Sequence, residues 1–302
     1  MKKIIVLICL LLSLTTLSSC TKENSEKVTI IVPNGIPYMA ISGLLLEDTV
    51  SIEVVSGVAN LQTALANGSY DIVIAPINLG VNLYNNENSK YQVSHILTSN
   101  NAYIVTRSEN KLDSIKDIEN ESVLGFGQTG IPANILKKLY TDNNFDVNNI
   151  DFKYSSSSEV YSVFAGGNTE SKYALMSEPE ISKLVLNDKI NVKTLDLCDS
   201  LGEDVAQACV FVNPLSNKQQ KIDKVLELIK ENVKSLNANP SGYAEKIITL
   251  DRRFESMGYD VIVRSIPLTN IVFKKASENK EDITSILNIL NIGLPDEKFY
   301  KK

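Results

Sequence analysis

Polar residues follow apolar strands at several points of the sequence, and these positions are the candidates for ligand binding or catalysis. Residues 72–75 form a continuous apolar run, which predicts a strand buried on both faces of a sheet. Pro76 ends the strand because it lacks an N–H group, and Asn78 is then predicted to cap a helix. Such a turn presents free N–H groups at the carboxyl edge of the sheet, where open α/β sheets bind ligands. Taken alone, this is also the pattern of an ordinary strand-to-helix turn.

Few residues could carry catalysis. The single histidine, His95, lies in an alternating apolar segment and is predicted to be a packed side chain, and one histidine excludes a histidine-rich metal site. The serines at 155–158 lack the G-x-S-x-G context of a nucleophile. Glu178 could act as a general base but has no evident acid partner, so we predict that it binds a ligand donor or caps its helix. No enzymatic activity and no metal site are predicted, although carboxylate metal sites stay open.

The N-terminus has the composition of an export signal. Two lysines precede the apolar residues 4–12, which are too few to span a bilayer, and the segment closes with Leu-Ser-Ser-Cys at Cys20. Small residues before a cysteine resemble the lipobox of bacterial lipoproteins. Residues 1–19 are therefore predicted to be a signal peptide, with Cys20 lipidated and residues 20–27 forming a polar tether. This places the protein at the extracytoplasmic face of the cell membrane, anchored by lipid.

A glycine-rich segment, residues 125–130, matches the G-x-G-x-x-G pattern that binds dinucleotides between a strand and a helix. Pro132 would crowd the helix start that holds a pyrophosphate, whereas Asp151 is a plausible ribose partner. Nicotinamide cofactors are not normally available to an exported protein. We therefore predict a tight turn that faces a solute, and no cofactor.

Composition limits the partners and the architecture. The 302 residues carry a net charge of −6 and contain no run of basic residues, which argues against nucleic acid as a partner. Without the signal peptide, the chain is long enough for two domains or lobes. Cys198 and Cys209 could pair in an exported protein, but two buried free thiols are predicted.

The elements that would position the polar residues alternate between strands and helices. Strands are predicted at residues 28–32, 51–55, 72–75, 91–97, 102–106, 123–127, 151–154, 173–176, 192–196 and 207–212. Helices are predicted between many of them, and residues 218–302 are predicted to be mainly helical. This alternation predicts an α/β fold with parallel sheets layered by helices.

Three short motifs and the order of these elements resemble the type 2 periplasmic-type solute-binding proteins of ABC importers. The sequence is most similar to the thiamine-pyrimidine-synthase-like group, which includes binding proteins for thiamine precursors, sulfonates and nitrate. Residues 112–118 resemble the family's I-x-S-x-x-D-L segment at the start of the second lobe, residues 70–72 resemble its G-x-x-D-I-A strand, and residues 177–179 resemble its EP turn. The sequence departs from the family in having no tryptophan, where some relatives carry Trp-Gly near residues 99–100.

The resemblance implies a two-lobed fold in which each lobe is a mostly parallel sheet layered by helices and two crossovers join the lobes. Lobe 1 would be discontinuous, with residues 28–103 and 210–302, and lobe 2 would comprise residues 104–209. Such lobes can close over a solute by a hinge motion. Helix N-termini at the cleft carry partial positive charge, which favours an anionic or acceptor-rich solute, and a heterocyclic solute is the other expectation.

The resemblance also implies a function and a set of ligand contacts. The protein would be a monomer that captures a small molecule and delivers it to an ABC transporter permease. On lobe 1 the candidate contacts are Asn34, Gly35, Tyr38, Pro76 and Asn78, with Tyr38 offering an aromatic surface for stacking. Before the first crossover they are Ser99, Asn100 and Asn101. On lobe 2 they are Gln128, Thr129, Gly130, Ser177 and Glu178. Each has an ordinary alternative as a turn or cap residue.

Two other functions stay open at this point. One is an extracytoplasmic enzyme on the same fold, as in the pyrimidine-forming relatives, whose histidine-rich chemistry the single histidine does not match. The other is a sensor or adhesion lipoprotein that has no transport role.

Overall fold

The computed structural model describes residues 27–302. The predicted signal peptide, the lipidation site at Cys20 and residues 20–26 of the tether lie outside the described residues. Within residues 27–302, no helix combines the length and the apolar character that a membrane span needs.

Eleven strands and twelve α-helices alternate along most of the described chain. The strands are β1 (Val28–Pro33), β2 (Val50–Val55), β3 (Ile72–Pro76), β4 (Gln92–Ser99), β5 (Tyr103–Arg107), β6 (Val123–Phe126), β7 (Ile150–Tyr154), β8 (Tyr173–Met176), β9 (Val192–Asp196), β10 (Ala206–Val212) and β11 (Ile271–Lys275). The helices are α1 (Ile36–Ile41), α2 (Val58–Asn67), α3 (Ile77–Asn85), α4 (Ile131–Asp142), α5 (Ser157–Ala165), α6 (Glu180–Leu186), α7 (Leu197–Leu201), α8 (Gln219–Ala238), α9 (Pro240–Ile247), α10 (Arg252–Met257), α11 (Tyr259–Ser265) and α12 (Lys280–Ile289).

The strands form two sheets. The first has six strands in the order β11-β4-β10-β3-β1-β2, and the second has five strands in the order β7-β6-β8-β5-β9. The second sheet is built from one continuous part of the chain, whereas the first takes strands from both ends of it. The described chain therefore has two α/β lobes joined by two crossovers, as predicted.

The sheets are mixed rather than mostly parallel. In the first sheet β1 is parallel to β2 and β3, but β10 is antiparallel to both β3 and β4, and β11 is antiparallel to β4. In the second sheet β5 is antiparallel to β8 and β9. The reason lies in the crossovers: the chain leaves the first sheet at Ser99 and returns at Ala206, and these two residues are paired in the β4–β10 ladder. A strand that returns beside the exit point must run in the opposite direction.

The crossovers lie close to the predicted lobe boundaries but not at the same residues. β5 begins at Tyr103 in the second sheet, and β10 begins at Ala206 in the first. The predicted boundary after residue 209 thus falls inside β10. Strands on both sides of a crossover are buried and apolar, so hydrophobic patterning does not indicate where the chain changes sheets.

The apolar run of β3 is buried on both faces. Ile72 and Ile74 pack in one core cluster with Ile222 and Ile229 of α8, whereas Val73 and Ala75 pack in another on the opposite face. All four strand residues are fully buried. A fully buried Ile or Val side chain stabilises the fold by about 1.5–3 kcal/mol relative to an exposed one. This confirms the predicted buried strand at the centre of lobe 1.

Residues predicted to be structural are packed. His95 stacks on Phe273 with ring centroids 3.9 Å apart, and burial lowers the pKa of its imidazole to about 4. Cys198 and Cys209 are free and buried, and burial raises the pKa of both thiols. The prediction of two buried free thiols is confirmed.

Candidate ligand-binding cleft

A cleft of about 1160 Å³ lies between the two lobes. Its walls are the turns that follow β1 and β3 in lobe 1 and the turns that follow β6 and β8 in lobe 2. The volume is slightly above the range of about 300–1,000 Å³ that is usual for small-molecule sites. All the predicted contacts line the cleft except Tyr38, Ser99 and Asn100.

The turn between β3 and α3 brings Asn78 into the cleft, but not as a helix cap. Pro76 is the N-cap residue, with an extended ψ of 136°, and α3 begins at Ile77. Asn78 is therefore inside the first turn of the helix, and the predicted capping role is wrong. Its Oδ1 atom is buried and accepts no hydrogen bond from any residue within 27–302.

The glycine-rich turn between β6 and α4 faces the cleft, and local packing accounts for its glycines. Gly127 has a φ of +55°, which favours glycine, and its carbonyl accepts the N–H of Gly130 at 2.6 Å. A Cβ atom on Gly125 would lie 2.6 Å from the Phe152 ring. Gln128 and Thr129 are exposed at the tip of the turn.

The dinucleotide alternative finds no support in the residues around this turn. Pro132 is the second residue of α4, so the helix start lacks one N–H donor. Asp151, the candidate ribose partner, lies 2.7 Å from the Lys153 ammonium, in an ion pair.

The Ser177-Glu178 turn is attached to the first crossover by Asn101. The Asn101 Oδ1 atom accepts the Glu178 N–H at 2.8 Å, and its Nδ2 atom donates to the Glu178 carbonyl at 3.2 Å. The Ser177 hydroxyl donates to the Asn101 carbonyl at 2.9 Å. Asn101 therefore positions this turn at the cleft.

Glu178 is a helix-capping carboxylate at the cleft wall. The residue is 3% exposed, and its Oε2 atom accepts the Ser182 N–H in the first turn of α6 at 3.0 Å. Burial raises the pKa of this carboxyl, against hydrogen bonds from Ser182 and the charge of Arg264. Of the two predicted roles for Glu178, the structure shows the capping role.

Tyr38 does not offer a stacking surface to the cleft. Its ring is 1% exposed and stacks on Phe254 with centroids 5.0 Å apart, and its hydroxyl donates to Asp251 at 2.8 Å. Phe254 and Arg253, at the start of α10, line the cleft in its place. Tyr38 follows the β1 turn in the sequence, which predicts a place at the cleft, but α10 covers it from a distant part of the sequence.

Ser99 and Asn100 belong to the crossovers rather than to the cleft. Ser99 is 4% exposed and ends β4. Asn100 has a φ of +47°, its Nδ2 atom donates to Asp204 at 2.6 Å, and its Oδ1 atom accepts the Val205 N–H at 2.8 Å. Asn100 thus joins the two crossovers to each other.

Several cleft residues were not predicted from the sequence. Gln207 enters from the second residue of β10, and its buried Nε2 atom donates to no residue of the described part of the chain. Lys137, Lys183 and Met257 also line the cleft. Gln207 is the one that sequence patterning could have found, because it is a polar residue within an otherwise apolar strand.

Comparisons with known proteins agree with this architecture. No protein-family model and no curated protein matches the sequence. An ABC transporter protein from Parabacteroides distasonis is similar in structure, with a TM-score of 0.77 and 18% identity over 92% of this chain and 99% of the other. The periplasmic aliphatic sulphonate binding protein of Escherichia coli has a TM-score of 0.68 and 14% identity over 88% of this chain and 86% of its own.

A third similar structure is a Candida albicans gene product described as having the generic periplasmic binding protein structural fold. Its TM-score is 0.55, with 11% identity over 90% of this chain and 93% of the other. Together with the two sheets and the intervening cleft, these likenesses show that the chain has the two-lobed type 2 periplasmic-binding-protein fold.

Proposed function

We propose that the protein is the lipid-anchored solute-binding component of an ABC importer, which captures a small molecule between its lobes and delivers it to a permease. The observation that carries this proposal is the cleft itself: turns from both lobes line it, and the polar groups there include buried atoms that have no partner among residues 27–302. Similar structures include a sulphonate binding protein and a protein of an ABC transporter.

The crossovers supply a hinge for capture. They lie side by side where Ser99 pairs with Ala206, and Asn100 connects them through Asp204 and Val205. Two short, adjacent connections allow the lobes to rotate as bodies without disturbing either sheet. Closure would then enclose a solute between the turns of both lobes.

The proposed binding function does not include chemical conversion of the solute. Glu178, the carboxylate considered as a general base, has one oxygen committed to the Ser182 N–H. We expect saturable binding with no product, and the variant Glu178→Gln should leave the solute chemically unchanged as the wild type does. Product formation by the wild type that this variant abolishes would contradict the proposal and favour an enzyme on the same fold.

Capture is tested first by identifying the solute and then by mutating the exposed turn of lobe 2. Native mass spectrometry of gently purified protein should reveal a co-purified solute. Binding of this solute should raise the free energy of unfolding by RT ln(1 + [L]/Kd), and with it the melting temperature. Thr129→Ala, which removes a cleft hydroxyl, should weaken binding several-fold, since one hydrogen bond is worth about 0.5–1.5 kcal/mol. Thr141→Ala is the matched control, because Thr141 is exposed at the far end of α4. Equal effects of the two variants would place the solute elsewhere.

Delivery and anchoring need separate tests. Cells that lack the protein should lose uptake of the labelled solute, and unchanged uptake would favour a sensor or adhesion role.

Cys20→Ala should release the unlipidated protein from the membrane fraction, with Cys209→Ala as the control that keeps Cys20. Retention of the Cys20→Ala protein in the membrane fraction would contradict lipid anchoring.

A further inference from the structure

Two side-chain amides in the cleft have buried atoms that no residue within 27–302 satisfies. The Oδ1 atom of Asn78 lacks a donor, and the Nε2 atom of Gln207 lacks an acceptor. The two residues are neighbours in the fold, because Pro76 lies opposite Ala208 in the β3–β10 ladder. Both line the same cleft.

Such a pair is unusual in a folded protein. Buried polar atoms are almost always hydrogen-bonded, because an unpaired one loses its interaction with water and gains nothing in return. Here an unpaired acceptor and an unpaired donor lie near each other at a cleft wall. A solute that offers one donor and one acceptor on the same edge would satisfy both.

Two of the cations at the cleft are already paired with carboxylates. The Lys183 ammonium lies 3.5 Å from Glu180, and the Arg253 guanidinium lies 2.7 Å from Asp251. An anionic solute would have to compete with these carboxylates for either cation. The pairs therefore reduce the attraction of the cleft for a free oxyanion.

Lys137 and Glu178 also make the cleft less attractive to a free oxyanion. The Lys137 ammonium donates to the Gln128 carbonyl at 2.7 Å and lies 4.9 Å from the centre of the Phe152 ring. Glu178 adds a carboxyl group that is 3% exposed to the cleft wall. Each of the three cations thus has a protein partner, and the buried cleft atoms without a partner within residues 27–302 belong to the neutral amides of Asn78 and Gln207.

We propose, on the basis of the binding function above, that the solute is a neutral molecule that presents an amide-type edge, with an N–H donor for Asn78 and a C=O acceptor for Gln207. Primary amides, lactams and cyclic ureides carry this edge. Phe126 and Phe254 also line the cleft, so an apolar ring beside the amide is accommodated. The sequence predicts an anionic or a heterocyclic solute. The present proposal keeps the heterocyclic solute, provided that it is neutral, and replaces the anionic one.

The test uses sets of three probes that share one ring and differ only in the substituent. Benzamide, benzoate and benzenesulfonate form one set, and nicotinamide, nicotinate and pyridine-3-sulfonate form another. Ligand-observed NMR and thermal shift measure binding to the full mature protein. In each set that binds, the amide should bind about tenfold more tightly than either anion, as expected from one or two added hydrogen bonds.

Apolar variants of similar shape connect this preference to the two amides. Asn78→Leu and Gln207→Met should each weaken amide binding about tenfold and remove the preference over the anions. Neither side chain has a hydrogen bond to another residue of the described part of the chain, so the melting temperature of the solute-free protein should stay the same or rise. Gln62→Met is the matched control for the second variant: Gln62 is exposed in α2 and does not line the cleft, so this variant should bind the amide as the wild type does.

The outcomes separate this inference from the proposed function. Tighter binding of the carboxylates or sulfonates would overturn the inference and leave the binding function standing. Early melting of both solute-free variants would also overturn it, because the amides would then be structural. If no probe binds, the solute recovered by native mass spectrometry decides: one without an amide-type edge overturns the inference, and recovery of none counts against both proposals.

Discussion

At the scale of single residues, Asp71 connects three segments of lobe 1. Its carboxylate accepts the Thr29 N–H at 2.9 Å, the Ser216 hydroxyl at 2.7 Å and the Lys218 ammonium at 3.0 Å. The residue is 7% exposed. Burial raises the pKa of this carboxyl, but the hydrogen bonds from Ser216, Thr29 and Lys218 outweigh it and hold the pKa below its usual value. One side chain therefore joins β1, β3 and the segment after β10.

Removing the charge of Asp71 should destabilise the protein in a pH-dependent way. We expect Asp71→Asn to lower the free energy of unfolding by about 3 kcal/mol at pH 7, because the mostly buried Lys218 ammonium loses the negative charge of Asp71 beside it. The folded pKa lies below the unfolded value of about 3.9, so the wild-type advantage is complete above that value and is lost as the pH falls through the folded pKa. Urea unfolding from pH 3 to pH 7 measures the difference.

The exposed Asp48 provides the control for this prediction. Asp48→Asn should change the free energy of unfolding by no more than about 0.5 kcal/mol at any pH in the series. A difference between wild type and Asp71→Asn that does not narrow below pH 4 would show that the carboxylate charge is not its source.

At the scale of elements, the position of α3 depends on a glycine. A Cβ atom on Gly80 would lie 2.3 Å from two carbons of the Phe211 ring. Phe211 is fully buried in β10, so its ring has no open space to move into. Glycine thus allows α3 to lie directly on the sheet, and α3 carries Asn78 to the cleft.

Gly80→Ala should therefore cost stability even though alanine favours a helix. Overpacking costs about 1–3 kcal/mol, and the gain in helix propensity offsets about 0.5–1 kcal/mol of it. We expect a net loss of about 1 kcal/mol in urea unfolding, with weaker solute binding because α3 must shift. Asn82→Ala, at an exposed position of the same helix, should not be destabilising. A Gly80→Ala protein as stable as the wild type would mean that the helix relaxes away from Phe211 without cost.

At the scale of the whole molecule, the two lobes differ in how the chain builds them. The strands of the second sheet, β5 to β9, are consecutive, whereas in the first sheet β10 separates β3 from β4. Without β10, two neighbouring parts of the first sheet lose the strand that joins them. The first lobe is therefore predicted to require both ends of the chain.

Fragments of the protein test this dependence. Residues 102–205 alone should show an α/β circular dichroism spectrum and a cooperative urea transition, because that segment contains the whole second sheet. Residues 27–100 alone should not unfold cooperatively. As the matched control, residues 27–100 joined by a short Gly-Ser linker to residues 206–302 should recover cooperativity, since Ser99 and Ala206 are paired. A cooperative transition for residues 27–100 alone would contradict the discontinuous lobe.

Local patterns in the sequence were sufficient for much of the architecture. The apolar run of β3 predicted a strand buried on both faces, because such a run fits only an environment that is apolar on both sides. Proline and glycine placed the turns after β3 and β6, since their effects on backbone geometry are local. Because Asn78, Gln128 and Thr129 follow the ends of these strands, the sequence also predicted them as cleft residues.

Contacts between distant segments determined the rest. β11 lies in a region that was predicted to be mainly helical. Its sequence, Ile-Val-Phe-Lys-Lys, is too short to predict a strand by itself, and it forms one because it pairs with β4. Tyr38 is buried because α10 covers it, and its hydroxyl bonds to Asp251. Gln207 reaches the cleft because β10 returns between β3 and β4. A side chain's burial and its hydrogen-bond partner depend on which segment packs against it, and local sequence patterns carry no information about that segment.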